Sequence, residues 1–561
     1  MSLPEFLSST SLAHQLIVAN PRSNVNNLPY SYGTSGFRGH ASILPSVALR
    51  MGMFAALRSS LLNGAVVGVM VTASHNDSPD NGLKLIDPSG EMMETSQESR
   101  ATDLANTDES ELCEKLQQLI ISQSLNLTKN PPRIFVGRDT RLSSPALSKL
   151  VIDGAKSLGG EVVDFGLLTT PMLHFAVNKA NLGITDYDYF QILSQSFMQA
   201  LQLKYNKNDT KSISSIKLPL LNVDCANGVG TISMKKFQPL LSNILSFNLI
   251  NTNIDNTELL NNECGAEHVQ KTKTLPINFS SDPNLFSRCA SIDGDADRIV
   301  YFFINNSNEM RLLDGDKILV LYTAFIHKLL KSSNLSDKLT IGCVQTAYAN
   351  GASVKYIREK LNIEPIFTPS GVKHLHHVAA KFDIGIYFES NGHGTLIFSE
   401  NAKTIITNQI NSNSDNEEIS RSSQCLLSLI SLINQCVGDA VSDLLLVEVS
   451  LHHLNWSLSD WDQIYKDLPS LTLKVKVADR TIITVTDAER KCVTPDGLQS
   501  AIDAAVSNCS SESLRANRRS FARPSGTEDV VRVYAEATSE AECAELAAAV
   551  CEAVKRFAGG I

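Results

Sequence analysis

Asp293, Asp295 and Asp297 alternate with small residues in the segment Asp293-Gly-Asp-Ala-Asp-Arg298. In a roughly extended chain, alternate side chains point the same way, so these three carboxylates can converge. Close carboxylates repel one another unless a cation or protons compensate. Hard oxygen ligands of this kind suit Mg2+. An EF-hand loop does not fit, because Arg298 stands where that loop needs Gly and Ile304 where it needs Glu. A solvated acidic turn would use the same residue types. The apolar runs Ala290–Ile292 and Ile299–Ile304 favour a loop held between two strands.

A second segment, Thr72-Ala-Ser-His-Asn76, follows the small-residue and Val-rich run Ala65–Ala73. Ser74 at a strand end can project its hydroxyl with backbone N–H groups nearby for an anion; a simple strand-terminating turn is the alternative. Ser74 beside His75 is not a hydrolase triad, and the chain has no G-x-S-x-G elbow. In Arg523-Pro-Ser-Gly-Thr527, with Arg532 beyond it, Arg523 offers a planar fork for phosphate oxygens. Ser525 and Thr527 add hydroxyls, and Gly526 permits a close backbone approach. A capped turn with surface arginines is the rival. Glu389-Ser-Asn-Gly392, followed by His393, combines a carboxylate (Glu389), a hydroxyl (Ser390) and an amide (Asn391). Such groups suit sugar hydroxyls, which both donate and accept, although a polar hairpin turn has the same composition. Gly33-Thr-Ser-Gly-Phe-Arg-Gly39, carrying Arg38, and Gly137-Arg-Asp-Thr-Arg141 are Gly-bearing, Arg-bearing loops. Neither is a Walker P-loop or a Rossmann fingerprint.

Strand–turn–helix units must position these segments. Ala65–Ala73, Arg133–Val136 and Glu161–Leu168 read as strands, with a helix from Ser144-Pro145, where Ser can cap and Pro fits the first turn. Leu218–Val223, Leu339–Gln345 and Pro365–Thr368 continue the pattern, with helices after Gly351 and Gly371 and another over Gly315–Ser332. The alternation predicts α/β domains with parallel or mixed sheets. Strands over Leu471–Val477, Thr481–Val485 and Val530–Ala535 and a helix over Glu540–Phe557 predict a smaller C-terminal α+β domain. The polar stretches Asn206–Ser215 and Asn411–Gln424 read as surface loops or linkers.

The 561 residues correspond to roughly three to five domains at about 100–200 residues each. A net charge of −10, with no basic tract beyond the short Arg515–Arg519 cluster, argues against nucleic-acid binding through phosphates. The 11 cysteines form no C-x-x-C pair, which argues against a disulfide framework and a structural zinc site. No signal peptide is expected from the N-terminal residues. The apolar stretch Cys425–Leu451 is broken by Asn434, Gln435, Asp439 and Asp443, so no membrane span is expected and a cytoplasmic location is.

Taken in order from Tyr32 to Ala537, these motifs resemble those of the α-D-phosphohexomutase superfamily. The resemblance implies three α/β domains and a smaller α+β domain around a central cleft, divided near residues 1–185, 186–303, 304–445 and 446–561. It implies that Ser74 carries a phosphoryl group and binds Mg2+ together with Asp293, Asp295 and Asp297. The loop Glu389–Gly392 would read the sugar. The loop Arg523–Thr527, with Arg532, would hold the phosphate that is not reacting. Arg298, Ser370 and Gly371 join the implied substrate contacts. Arg38 and Lys84 are the implied groups for proton handling or electrostatic stabilisation near Ser74, with His75 a further catalytic candidate.

Within the superfamily, three segments are similar to the phosphoacetylglucosamine mutase family: Val71–Asp87, Thr368-Pro-Ser-Gly-Val-Lys-His-Leu375 and Glu389-Ser-Asn-Gly-His-Gly-Thr395. Asp77 departs from the pattern, since a proline often follows the Ser-His-Asn triplet there; here the proline is Pro79. The resemblance implies interconversion of N-acetylglucosamine 6-phosphate and 1-phosphate through a sugar 1,6-bisphosphate, feeding UDP-N-acetylglucosamine synthesis. Phosphoglucomutase or phosphomannomutase activity is the nearest alternative. A metal-assisted phosphatase or serine hydrolase would need an activated water, and no second His/Asp metal cluster is evident for one. An inert phosphosugar-binding protein should lack Ser74 or an aspartate of the metal loop, and this chain has them all. Oligomeric state has no signature in the sequence.

Overall fold

A computed structural model describes residues 7–8, 10–23, 29–206, 213–282, 286–412, 415–508, 515, 517–525 and 529–560. The chain forms two compact units, Met1–Leu312 with Ser428–Val449, and Leu313–Leu427 with Ser450–Ile561.

The first unit holds two mixed sheets. One contains β1 (Phe37–His40), β2 (Val66–Val71), β3 (Asp80–Ile86), β4 (Arg133–Arg138) and β5 (Glu161–Leu167), in the order β1-β3-β2-β4-β5. β2 reads Val-Val-Gly-Val-Met-Val and is buried along its whole length, as a strand covered on both faces requires. It pairs parallel to β4 and antiparallel to β3. The second sheet contains β6 (Leu221–Asp224), β7 (Phe247–Ile250), β8 (Cys289–Ile292), β9 (Ile299–Ile304) and β10 (Met310–Leu313), in the order β10-β9-β8-β6-β7. β8 and β9 are antiparallel neighbours, so the acidic segment Asp293–Arg298 closes a hairpin between two buried strands.

The second unit begins with the helix Gly315–Ser332, whose first N–H groups are capped by Asp314. Its larger sheet contains β11 (Ile341–Thr346), β12 (Ile366–Thr368), β13 (Ile384–Phe388) and β14 (Gly394–Phe398), in the order β12-β11-β13-β14. Glu389–His393 is therefore the loop of the β13–β14 hairpin. β15 (Ser470–Lys476) leads to the two-stranded hairpin of β16 (Thr484–Thr486) and β17 (Lys491–Thr494). β18 (Arg519–Pro524) and β19 (Val530–Glu536) complete an antiparallel sheet in the order β15-β19-β18. The helices Leu498–Ser507 and Glu540–Ala558 share a core with this sheet. The architecture is thus α/β with mixed sheets and an α+β C-terminal part, as the residue pattern predicts.

Two expectations change. Asn411–Gln424 is not one loop: helix Glu400–Ser412 runs into it and helix Glu417–Leu432 starts within it. Glu417 and Glu418 lie in the first turn, where the helix dipole favours acids, and Ile419, Cys425 and Leu426 are buried. Polarity there marks the exposed side of two helices, not a linker. Thr481–Val485 is not one strand either, because Arg480–Ile482 is a 3-10 turn and the strand begins at Thr484. Asp479 accepts from the Thr481 N–H and favours that turn. Of Asn206–Ser215, residues 207–212 lie outside the described residues.

Candidate active site

In the first unit, β2 ends at Val71 and the chain turns sharply at Ser74, whose φ is +53°, a left-handed conformation uncommon for a residue with a Cβ. Three groups hold that turn. The Ser74 N–H donates to Thr72 Oγ1 at 2.9 Å, and Thr72 Oγ1 donates to Asp139 Oδ2 at 2.8 Å. The fully buried Arg141 guanidinium donates to the backbone carbonyls of Ser74, Asn76, Asp77 and Asp80. Asp139 pairs with Arg141 Nε at 2.9 Å and so balances its charge. From the turn that follows the 3-10 helix Thr257–Leu259, between β7 and β8, Asn261 Nδ2 donates to the carbonyls of Ser74 and Asn76 at 2.8 and 3.0 Å.

Ser74 itself is buried and donates its hydroxyl to Asp293 Oδ2 at 2.7 Å, with Asp297 Oδ1 at 3.5 Å. The aspartates do not converge through an extended alternation. The Ala296 N–H donates to the Asp293 carbonyl, and Ala296 has φ +59°, so the segment is a tight turn. Asp293 Oδ1 fastens it by accepting from the N–H groups of Asp297 and Arg298. Gly294 sits where a Cβ would come within 2.8 Å of the Ser74 carbonyl oxygen, so no larger residue fits without displacing the serine turn. The Ala440 N–H, at the start of helix Ala440–Leu454, donates to the Ala296 carbonyl.

One oxygen each from Asp293, Asp295 and Asp297 lies within 4.8 Å of the others. Lys84, on β3, donates to Asp295 Oδ2 and Asp297 Oδ2, both at 3.0 Å. Thr170 Oγ1 donates to Asp295 Oδ2 at 2.6 Å. Asp295 Oδ1, fully buried, has no hydrogen-bond partner among the described residues. A buried, unpartnered carboxylate oxygen beside two further carboxylates is a donor set for a hard divalent cation, so the residues fit Mg2+. Burial pushes the Asp293 carboxyl well up, and its neighbours Asp297 and Asp295 push it further. Burial lowers the Lys84 ammonium, but Asp295 and Asp297 more than offset this and leave its pKa raised.

Arg298 pairs with Glu267 and stands 3.9 Å from Asp293 Oδ2. Burial, then the Arg298 charge, lowers His75 to about 2. His75 is therefore neutral, and its 3.8 Å approach to Glu267 is no ion pair. Its Nδ1 has no partner among the described residues. Arg38 donates to Asn76 Oδ1 at 3.1 Å, and both burial and Arg298 lower its pKa. Ser74, His75, Arg38, Lys84, the three aspartates and Arg298 thus gather in one unit.

The remaining predicted residues belong to the second unit. The Gly371 N–H donates to Glu389 Oε1 at 2.9 Å, and Asn391 Nδ2 donates to Glu389 Oε2 at 3.1 Å. The Gly392 N–H closes the turn on the Glu389 carbonyl. Ser390 Oγ donates to the buried Asp316 at 3.2 Å. Ser370 donates its N–H and hydroxyl to Glu489 Oε2. Arg523 Nε donates to the Tyr348 hydroxyl at 2.9 Å. Arg523 and Arg532 are direct partners across β18 and β19. The Ser525 N–H donates to the Val530 carbonyl, while Gly526 and Thr527 lie outside the described residues.

Sequence reasoning assigned no role to Thr170, Asn261, Asp316 or Glu489, which touch these residues from far along the chain. Arg141 and Asp139 were visible only as part of the Gly137–Arg141 motif.

Profiles described as phosphoglucomutase/phosphomannomutase α/β/α domain I match residues 52–112 and 105–213, and the corresponding C-terminal domain matches residues 473–553. Profiles of phosphoacetylglucosamine mutase AMG1 match residues 180–300 as domain II and 314–456 as domain III. The human phosphoacetylglucosamine mutase is 43% identical over 541 residues, covering 96% of each chain. An N-acetylglucosamine-phosphate mutase solved in its product complex, a member of the α-D-phosphohexomutase superfamily, superposes with TM-score 0.90 at 41% identity, covering 99% of this chain and all of that one. The Aspergillus fumigatus enzyme, solved with GlcNAc-6P and magnesium, gives TM-score 0.88 at 40% identity over 98% of this chain and all of its own. With one serine replaced by alanine, that enzyme has also been solved with glucose 1,6-bisphosphate. Among the described residues, no helix is long and apolar enough to cross a membrane. With the serine turn, the three-aspartate hairpin and near-full-length identity in agreement, the chain belongs to the phosphoacetylglucosamine mutase family of enzymes, within the α-D-phosphohexomutase superfamily.

Proposed function

We propose that this chain interconverts N-acetylglucosamine 6-phosphate and N-acetylglucosamine 1-phosphate, with Ser74 as the phosphoryl carrier. The observation that carries the reading is the Ser74 hydroxyl 2.7 Å from Asp293, beside the unpartnered oxygen of Asp295. Asp293, Asp295 and Asp297 would hold Mg2+, which supplies charge neutralisation at the transferring phosphoryl group when bound.

In the proposed step, the bond between phosphorus and Ser74 Oγ breaks as a free sugar hydroxyl forms a new bond to that phosphorus. The product is a sugar 1,6-bisphosphate, and the hydroxyl proton leaves to a base. Ser74 Oγ then attacks the other phosphate of the turned bisphosphate, which restores the phosphoserine and frees the isomerised monophosphate. Positioning and electrostatics do most of the work in such a transfer. Lys84, held between two carboxylates with a raised pKa, suits charge stabilisation better than proton abstraction. Arg38 stays a guanidinium and acts in the same way. His75, half-buried and neutral, is left as a positioning neighbour of Ser74 and a very weak base.

We assign recognition of the sugar to Glu389, Ser390, Asn391 and Gly392, with Ser370 and Gly371 beside them. The non-reacting phosphate is assigned to Arg523, Ser525, Gly526, Thr527 and Arg532, and Arg298 is a further contact to substrate on the phosphoserine side. We also propose the division into domains 1–185, 186–303, 304–445 and 446–561; each range holds most of one sheet, with β9 crossing residue 303 and β10 lying beyond it, and each overlaps one or more of the matched profiles. A sugar 1-phosphate is what nucleotidyl transfer consumes, so we place the reaction in the cytoplasm ahead of UDP-N-acetylglucosamine synthesis.

The test is competition among the 6-phosphates of N-acetylglucosamine, glucose and mannose, with intact-mass analysis of the enzyme alongside. The N-acetyl sugar should win, wild type should carry one phosphate at Ser74, and Ser74→Ala should be inert but folded. Equal use of glucose or mannose phosphate would favour the phosphoglucomutase or phosphomannomutase alternative. Full activity in Ser74→Ala would end the phosphoserine reading.

A further inference from the structure

Glu489 lies at the tip of the β16–β17 hairpin, outside every motif that reads as chemistry. Its carboxylate nevertheless sits among groups assigned to the substrate. Oε2 accepts the Ser370 N–H at 3.0 Å and the Ser370 hydroxyl at 2.6 Å. Oε1 stands 3.6 Å from Arg523 Nη1. One carboxylate therefore spans an N–H, a hydroxyl and a guanidinium, which is the donor set that a phosphate would use.

The backbone delivering it is unusual. Asp487, Ala488 and Glu489 have φ of +53°, +54° and +67°, three consecutive left-handed residues that each carry a Cβ. That conformation is unfavourable for such residues and persists only where contacts hold it. The neighbouring Arg490 supplies some of them: its guanidinium lies 4.4 Å from the centre of the Phe367 ring and donates to Asp487 Oδ1 at 2.6 Å. Phe367 is on β12, one strand step before Thr368-Pro-Ser370, so the hairpin is pinned beside the loop whose donors Glu489 occupies.

We infer that Glu489 is an internal competitor for the substrate's non-reacting phosphate, which must displace this carboxylate to reach Arg523 and Ser370. The inference rests on the assignment of Arg523 to that phosphate. A carboxylate and a phosphate cannot share these donors, because both are anions and the donors are few. Phosphate binding therefore frees the hairpin tip, and phosphate release lets Glu489 return. The exchange weakens monophosphate affinity in both directions of the reaction and favours release of product.

The experiment uses the full-length enzyme with Mg2+, inorganic phosphate as a competitive probe, and N-acetylglucosamine 6-phosphate as substrate. Glu489→Gln keeps the shape but removes the charge. It should tighten inhibition by inorganic phosphate and lower KM, each by about three- to tenfold, because the open state no longer has to be won from the latch. The value of kcat should hold or fall. Unchanged or weaker phosphate inhibition in a folded Glu489→Gln enzyme would overturn the inference. A wild-type measurement stands beside it: hydrogen exchange across residues 484–494 should speed up when N-acetylglucosamine 6-phosphate is added. Unchanged or slower exchange there would also overturn it. Arg523→Ala separates the two readings. If it leaves phosphate inhibition unchanged, the phosphate-site assignment fails and the latch with it. If it weakens inhibition while Glu489→Gln does not tighten it, only the latch fails.

Discussion

Ser74 and Asp293 are 219 residues apart, yet the serine hydroxyl donates to Asp293 Oδ2 at 2.7 Å. Each side of this contact is built separately. The serine turn is fixed by Thr72, Arg141 and Asn261, and the aspartate turn by its own backbone N–H groups. A hydroxyl so placed is aimed at a carboxylate cluster whose mutual repulsion only a cation or protons can relieve. The geometry therefore ties the proposed phosphoryl carrier to the residues proposed to hold Mg2+.

The proposed metal role of Asp295 can be tested apart from sugar binding. Asp295→Asn would leave the Thr170 and Lys84 donors beside a neutral amide and remove one anionic ligand. Mg2+ affinity should fall, and kcat should drop by about two to three orders of magnitude, while binding of N-acetylglucosamine 6-phosphate changes little. Chelation of wild type should inhibit, and added Mg2+ should restore activity. Calorimetric titration with Mg2+ checks the first claim and steady-state kinetics the second. Undiminished activity in thoroughly chelated enzyme would rule out the metal role.

Arg141 is a positioning residue. Its guanidinium spans four carbonyls of the serine turn and pairs with buried Asp139, so Arg141→Ala removes a donor from each carbonyl and leaves the buried Asp139 charge without its cation, with only the Thr72 and Ser144 hydroxyls and a backbone N–H still donating to it. Breaking a buried pair in this way should cost about 3–5 kcal/mol of stability. Arg141→Lys keeps the charge but not the fork, so it should fold better than Arg141→Ala and still lose kcat with KM nearly unchanged. Urea unfolding and kinetics together test this. A normal kcat in Arg141→Lys would mean the turn does not need the fork.

How far the site can be read from sequence follows from these same residues. Asp293–Arg298 and Arg523–Thr527 are contiguous, so residue type and spacing expose them. The helix Gly315–Ser332 is legible end to end because Asp314 caps it and apolar residues recur along it. Asn261 and Thr170 are single polar residues 187 and 125 positions from the atoms they hold, with no local pattern to mark them. Glu489 is likewise a lone acid in a hairpin turn. The aspartate turn shows the other limit: spacing by two suggests an extended chain, but Asp293 Oδ1 binding two N–H groups closes a turn instead. At Asn411–Gln424, polarity hides two helices because their buried positions are few.

Asp316 links stability to pH. Burial raises its carboxyl to about 7, although the N–H of Asn350 and the hydroxyl of Ser390 work against the rise. The folded chain thus keeps a proton that the unfolded chain releases near 3.8. The stability this contributes is fully present below about 3.8 and is lost as pH rises through about 7. Asp316→Asn has nothing to titrate, and a flip of the Gln345 amide brings its Oε1, which has no partner among the described residues, to face the new N–H group. The variant should therefore lose less stability between pH 4.5 and 7.5 than wild type does. Asp314, also raised by burial and by Asp316, keeps part of the slope. Urea midpoints at the two pH values decide it, and an unchanged difference would mean Asp316 is ionised throughout.

In the proposed function, Arg523 and Glu389 divide recognition between phosphate and sugar. Arg523 presents its guanidinium edge with Nε tied to Tyr348, so its plane is set before a phosphate arrives. Arg523→Ala should lower kcat/KM by about ten- to a hundredfold, the loss of one charge-assisted contact worth about 1.5–3 kcal/mol. Arg523→Lys should recover only part of this, because a point charge cannot reproduce the fork. Metal affinity should not move in either variant. Glu389 instead receives Gly371 N–H and Asn391 Nδ2, which shapes the sugar loop. Glu389→Ala should therefore change discrimination between N-acetylglucosamine and glucose phosphates more than it changes inhibition by inorganic phosphate. Kinetics in both directions, with the bisphosphate supplied, provide the check. Under the proposed assignment, substrate and product each place a phosphate at Arg523, and the overall equilibrium constant is unchanged by mutation. Both directions must therefore weaken together, and a variant unimpaired in both would place the phosphate site elsewhere.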